Sequence, residues 1–256
     1  MNPACRPVVP LALSRSPASL PYLSLGMVVA FLRKESAAGR LPGYQVSQVR
    51  LAGVKGLPVN AAYKDLEKLE RPVVLLSSYV WNHELNMQAA SEIKRRNAGA
   101  TLIVGGPEIP KWPGESERFL AENPAIDVAV LGEGEVACAE LLAGLAVDSG
   151  ASDGLATVAG IVFRSGERIL RGPDRQRVKH LDQLPSPYLA GEFDRWIEDV
   201  PMATLETNRG CPYGCTYCDW GSATLQKVSR FDLQRVVGEV DYLARHRMGE
   251  IFIADA

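Results

Sequence analysis

The run RGCPYGCTYCDWG at positions 209–221 sets Cys211, Cys215 and Cys218 in a CxxxCxxC spacing. Three thiolates on one short loop can hold three corners of a cubane iron-sulfur cluster. A cluster held by protein alone takes a fourth Cys, so three ligands leave one iron open to a small molecule. An open iron points to chemistry and not to electron storage alone.

Other uses of cysteine fit less well. Structural zinc takes four ligands, commonly with Cys in C-x2-C pairs, and the nearest other candidates, His180 and His246, complete no such pairing. Five Cys in 256 residues is too sparse for a stapled secreted scaffold, and an odd count leaves a thiol over. Cys5 and Cys138 match no motif. Cys138, with Ala neighbours in a predicted helix, reads as a small core residue.

The CxxxCxxC spacing with Tyr217 directly before the last Cys resembles the signature of the radical S-adenosylmethionine (SAM) enzymes. The resemblance implies a 4Fe-4S cluster on Cys211, Cys215 and Cys218 whose open iron chelates SAM. It also implies an external electron donor such as a flavodoxin or ferredoxin, and Tyr217 packed or backbone-bonded near the adenine. The cofactors then carry the hard chemistry and the protein orients them. Trp220 either covers the cluster or fills core.

Upstream, residues 1–150 read as alternating strands and helices. Apolar runs at 8–13, 72–80, 101–104 and 126–131 are strands, 44–51 alternates as one more, and 61–69 is a short helix ended by Pro72. Helical spacing runs through 20–34, where Leu23, Met27, Val28, Phe31 and Leu32 recur, and through 82–96, with Asn82 as its cap. This order predicts an α/β fold with a Rossmann-like parallel sheet and helices on both faces.

Ligands of such sheets sit beyond the carboxyl ends of the strands. Those ends carry Ser77, Ser78 and Tyr79, then Gly105, Gly106, Pro107 and Glu108, then Gly132, Glu133, Gly134 and Glu135. Glycines let backbone approach a large flat ligand, and N–H groups at helix starts favour its acidic or amide substituents. Each glycine taken singly also fits a plain tight turn. No GxGxxG follows the first strand, so a dinucleotide site is poorly supported.

With the cysteine motif downstream, this half resembles the cobalamin-binding domain that precedes the radical SAM barrel in one large subgroup of the family. The resemblance rests on 74–81, on IVGGPE at 103–108 and on 127–135 with its Gly-Glu-Gly-Glu. The Asp-x-His-x-x-Gly motif of many cobalamin proteins is missing, which suits a subgroup whose cobalt usually takes no protein histidine. His83, beside the predicted rim, reads as a capping or surface residue.

Residues 151–200 read as a β-hairpin around the Ser165-Gly166 turn followed by a Pro-rich connector. Residues 201–256 read as the truncated beginning of a partial (β/α) barrel: strand 203–207, the cysteine loop, helix 231–245 and strand 250–255. Leu233, Val236, Val237, Val240 and Leu243 are expected on one side of that helix. Asp255, at the second strand's end, either faces the SAM site or makes a turn. Two strands cannot close a barrel, so the chain reads as a fragment of a longer protein.

Composition narrows the partners. With 46% hydrophobic and 23% charged residues the chain has material for one or two globular cores. A net charge of −2 and no Lys/Arg run leave no basic field for nucleic acid. The apolar segment 20–32 falls short of a membrane span, and the Pro-rich N-terminus is no signal peptide. A cytoplasmic location follows as the expectation.

The resemblance implies a cobalamin-dependent radical SAM methyltransferase that acts on an unactivated carbon of a natural-product, peptide or lipid substrate. One SAM supplies the radical that removes a hydrogen, and a second supplies the methyl group that cobalt carries. A non-methylating rearrangement or cyclisation within the family is the alternative. A cobalamin-binding or sensing module without catalysis, and a nucleotide-binding protein with an incidental cluster, are the alternatives from other classes.

Overall fold

The computed structural model describes residues 5–15, 22–52, 58–147, 152–216 and 227–255. Its first strand, β1 (Arg6–Leu13), feeds helix α1 (Tyr22–Ala37). Two short strands follow, β2 (Tyr44–Val46) and β3 (Arg50–Ala52), both parallel to β1. The single strand expected over 44–51 is thus two, broken at 47–49, where the chain leaves the ladder and Ser47 Oγ donates to the Val8 carbonyl at 2.9 Å. The expected helix over 61–69 is a pair of 3-10 turns, Val59–Ala62 and Lys64–Lys68.

The sheet continues with β4 (Val73–Ser77), helix α2 (His83–Arg96), β5 (Thr101–Gly105), helix α3 (Glu115–Glu122), β6 (Val128–Val130) and helix α4 (Gly134–Val147). β4 lies on the other side of β1 from β2 and β3. The strand order therefore reverses between β1 and β4, the place where open α/β sheets bind ligands.

Strand side chains alternate between two cores, as a sheet covered on both faces requires. Val8, Val73, Leu75, Ile103 and Val128 join the core under α1 and α4. Val9, Leu11, Val74, Leu76, Leu102 and Val104 join the core under α2 and α3. Antiparallel strands β7 (Ile161–Ser165) and β8 (Arg168–Arg171) extend the same sheet beyond β6, so the predicted hairpin shares its core.

The connector packs an aromatic group against α1. Tyr22 meets Phe193 and Trp196 edge-on, with ring centroids 5.3 and 5.2 Å apart. Gly26 makes room for this contact: a Cβ there would lie 2.2 Å from the Phe193 ring.

Next come β9 (Ala203–Leu205), β10 (Asn208–Arg209), β11 (Ser229–Arg230), helix α5 (Leu233–Arg245) and β12 (Ile251–Ile253). β9 and β12 pair in parallel around α5, the unit of a β/α barrel. The inward side of α5 is Glu239, Tyr242 and Leu243. Of the five apolar residues expected to share one side, Leu243 is buried, Val236 half-buried, and Leu233, Val237 and Val240 exposed. Among the described residues no helix is long and apolar enough to cross a membrane.

Candidate functional site

The loop after β4 lies against the switch point and is held by buried amides. Asn82 Nδ2 donates to the Leu13 carbonyl at 2.9 Å and the Ser77 carbonyl at 3.1 Å, tying the ends of β1 and β4 together. Its Oδ1 accepts from the Tyr79 N–H at 2.7 Å. So engaged, the side chain makes no capping bond to α2, against the expectation from its place in the sequence. One turn further, Asn86 Nδ2 donates to the Ser77 carbonyl at 3.0 Å, while its fully buried Oδ1 has no partner among the described residues.

The loops after β4 and β5 interlock. Ser78 N–H donates to the Gly105 carbonyl at 2.7 Å, and Glu108 N–H donates back to the Ser78 carbonyl at 3.2 Å. Gly106 takes φ +107°, and a Cβ there would lie 2.5 Å from the Ser78 carbonyl oxygen. No side chain fits between these backbones, so the approach requires glycine.

Side chains on this rim divide into buried and open. Ser77 Oγ lies 2.9 Å from Ser24 Oγ, and Ser78 Oγ lies 2.9 Å from His83 Nδ1. The Tyr79 ring stacks on Trp81 at 4.7 Å, and Trp81 is 55% exposed. Burial pushes the Tyr79 hydroxyl above its ordinary range although Ser24 and Ser77 hydrogen-bond to it. Pro107 and Glu108 are exposed at the next loop.

The cysteine loop leaves the end of β9, and the β10 and β11 ladder clasps its two ends. Gly210, at φ +108°, has the Lys227 carbonyl oxygen 2.6 Å from where a Cβ would stand. Asp255, beyond β12, accepts from Thr207 N–H at 2.6 Å, Thr207 Oγ1 at 2.5 Å and Asn208 N–H at 3.2 Å. Its carboxylate therefore anchors the start of the loop. Cys211 is half-buried and Cys215 exposed; Cys218, Tyr217 and Trp220 lie outside the described residues.

Between this loop and the sheet lies a half-buried ionic group with Glu135 at its buried end. Arg209, two residues before Cys211, donates through Nε and Nη2 to Glu206 at 2.9 Å and through Nη2 to Glu135 at 2.7 Å. Arg177 donates to Glu133 Oε1 at 3.0 and 2.9 Å, and Val178 N–H to Glu133 Oε2 at 2.8 Å. Both acids of the Gly-Glu-Gly-Glu motif thus face arginines. Burial pushes the Glu135 carboxyl up, but the charge and hydrogen bonds of Arg209 more than offset this and hold it below the usual carboxylate range. For Glu206 burial wins, and its carboxyl stays above that range.

No protein-family model matches the chain. Over 194 residues it is 39% identical to the cobalamin-dependent radical SAM methyltransferase TokK of Streptomyces tokunonensis, covering 73% of this chain and 28% of that protein. Over 190 residues it is 38% identical to the 2-(S-pantetheinyl)-carbapenam-3-carboxylate methyltransferase of Streptantibioticus cattleyicolor, covering 72% and 27%. The chain belongs to the cobalamin-dependent radical SAM family.

The likeness extends to a solved fold. The radical SAM methyltransferase TsrM from Kitasatospora setae superposes with a TM-score of 0.68 at 17% identity, covering 98% of this chain and 48% of that one. TsrM has been solved with cobalamin and a [4Fe-4S] cluster bound. The matched part of this radical SAM chain spans little more than a quarter of the curated relatives' length.

Within this family member the structure brings Ser77, Ser78 and Tyr79 together with Gly105, Gly106, Pro107 and Glu108 on interlocked loops. Gly132 and Glu133 follow the next strand, β6, and Gly134 and Glu135 open α4, with Gly132 at φ +86°. Sequence reasoning passed over Arg177, Glu206 and Arg209. The available signal was an Arg two positions before the first cysteine with a Glu three positions before that Arg, just past a strand end.

Proposed function

We propose that this chain holds a 4Fe-4S cluster on Cys211, Cys215 and Cys218, with SAM at the open iron and cobalamin on the rim beyond β1, β4, β5 and β6. The reaction we assign is methylation of an unactivated carbon in a small natural-product substrate. The observation that carries this reading is the cysteine loop anchored by Arg209 to the helix that starts at that rim.

The residues present suit these groups. Cys211 and Cys215 are accessible thiols on a loop clasped at both ends, and thiolates are the ligands such clusters take. Glycines at 106 and 132 in the left-handed region let the chain turn sharply at the rim, where a flat macrocycle would lie. Trp81 offers an exposed ring beside it, and the orphan Asn86 Oδ1 needs a hydrogen-bond donor that the described residues do not provide.

When bound, the cluster and SAM supply a carbon radical and cobalamin supplies a transferable methyl group. The chain's own residues orient these partners: Asp255 and Arg209 fix the loop, and Asn82 fixes the rim. The names of the two relatives, both methyltransferases and one acting on a pantetheinyl carbapenam, favour a small-molecule substrate.

The test is iron, sulfide and cobalt content of the protein from its native reading frame, purified anaerobically and supplied with iron, sulfide and hydroxocobalamin. About four irons with matching sulfide, one cobalt per chain and SAM-dependent release of 5'-deoxyadenosine are expected. A cluster without cobalt overturns the cobalamin assignment. Zinc in place of iron overturns the reading of the cysteines.

A further inference from the structure

We infer that Arg209 is a positioning residue: it locks the cysteine loop to the first turn of α4 and so sets the separation between a cluster on that loop and a corrin on the rim. This rests on the cofactor reading proposed above. The contact joins the two places where those cofactors would sit, and it does so through one side chain that is 11% exposed. Arg209 is separated from Cys211 only by Gly210, whose φ of +108° holds the backbone in a turn that side chains disfavour. Its partner Glu135 is 3% exposed and lies one residue inside α4.

The geometry is that of a fork. Nε and Nη2 both reach Glu206 on the Arg209 side of the loop, and Nη2 also reaches Glu135 across the interface. The guanidinium stands 6.0 Å from the Phe231 ring centroid at the loop's far end. A planar guanidinium can satisfy two carboxylates in fixed directions, where an ammonium acts as a point charge. Without it, the buried Glu135 and the half-buried Glu206 carboxylates would face each other.

Cohesion between the two parts does not depend on this ion pair. Tyr22 and Tyr188 already bond to the backbone of β9 from the other part. Buried ion pairs add little net stability against apolar packing, and their best-attested use is to specify one arrangement. Here the arrangement specified is the angle and distance of the cysteine loop relative to α4.

The test uses the holoprotein from the native reading frame, loaded with iron, sulfide and hydroxocobalamin and reduced so that cluster and cob(II)alamin are both paramagnetic. Pulsed EPR then reads the distance distribution between the two spins. The wild type is expected to give one narrow distribution. Arg209→Lys, which keeps the charge and loses the fork, is expected to broaden or shift it with iron and cobalt contents retained. Glu135→Gln reads the same contact from α4, and is decisive if the lysine variant does not fold. Wild-type distributions in the variants, with both cofactors bound, would sink the inference alone. A wild-type protein that takes up no cluster or no cobalt overturns the cofactor reading, and this inference with it.

Discussion

The hydroxyl of Tyr22 on α1 accepts a hydrogen bond from the Thr204 N–H on β9 at 2.8 Å and donates one to the Met202 carbonyl at 3.1 Å. Two backbone groups, one on β9 and one just before it, are thus satisfied by a side chain 182 and 180 positions away in sequence. Tyr22→Phe keeps the ring packing and leaves a part-buried N–H without its acceptor, which costs about 1–3 kcal/mol. Urea unfolding should show a lower midpoint with an unchanged slope. An unaltered midpoint would mean that water reaches Thr204 readily.

Gly106 and Gly105 separate backbone strain from mere bulk. An alanine at 106 meets the Ser78 carbonyl oxygen at 2.5 Å in a left-handed conformation, whereas one at 105 makes an ordinary 3.4 Å contact with Val130. Gly106→Ala should lose about 1–3 kcal/mol of stability and also its hydroxocobalamin retention, and Gly105→Ala should lose little of either. Equal effects at the two positions would refute the assignment of the interlock to Gly106.

Two acids on the same arginine should respond to pH in opposite senses. Glu135 is held below its ordinary value, so its stabilising contribution is full above about pH 4.3 and is lost as pH falls through its folded value. Glu206 lies above its ordinary value, so its contribution is full at low pH and is lost as pH rises through its folded value. Glu135→Gln should flatten the acid limb of a stability profile and Glu206→Gln should steepen it. Chemical denaturation across that range measures both, and matching slopes would contradict the assignment.

The cysteines should sort by reactivity. Burial, with the Glu135 charge nearby, pushes the Cys138 thiol up to about 12, while Cys211 and Cys215 are accessible. Iodoacetamide on the apo-protein at about pH 8, where free thiols are partly ionised, should modify the loop thiols and spare Cys138 until denaturant is added. Peptide mass spectrometry reads the pattern, and early labelling of Cys138 would place it outside the core.

Local pattern carried much of this architecture. Continuous apolar runs located β1, β4, β5 and β6, because strands buried on both faces have no polar side to write into the sequence. Glycine clusters at 105–106 and 132–134 marked the strand ends, where backbone geometry admits little else. What the pattern could not supply is what each polar group would face. Asn82 stands where a cap is expected, yet its amide bonds to Leu13 and Ser77, a choice made by tertiary neighbours. The apolar stripe of α5 announced a buried face, but its rotation was set by Arg235 donating to the Leu184 carbonyl and by Tyr242 donating to Asp194 at 2.8 Å. Arg209 resembled any charged residue near a loop until Glu135 lay beside it.

The paired anchoring of Arg209 and Tyr22 bears on how this protein can be recombined with its relatives. A chimera that exchanges the stretch around the cysteines would carry Arg209 and Glu206 away from Glu135, and Thr204 away from Tyr22. Cassettes cut at the connector between residues 172 and 202 would therefore break contacts on both sides of the cut. A workable exchange has to move α1 and the first turn of α4 together with the barrel strand, so the heritable unit is a set of matched surfaces and not a contiguous segment.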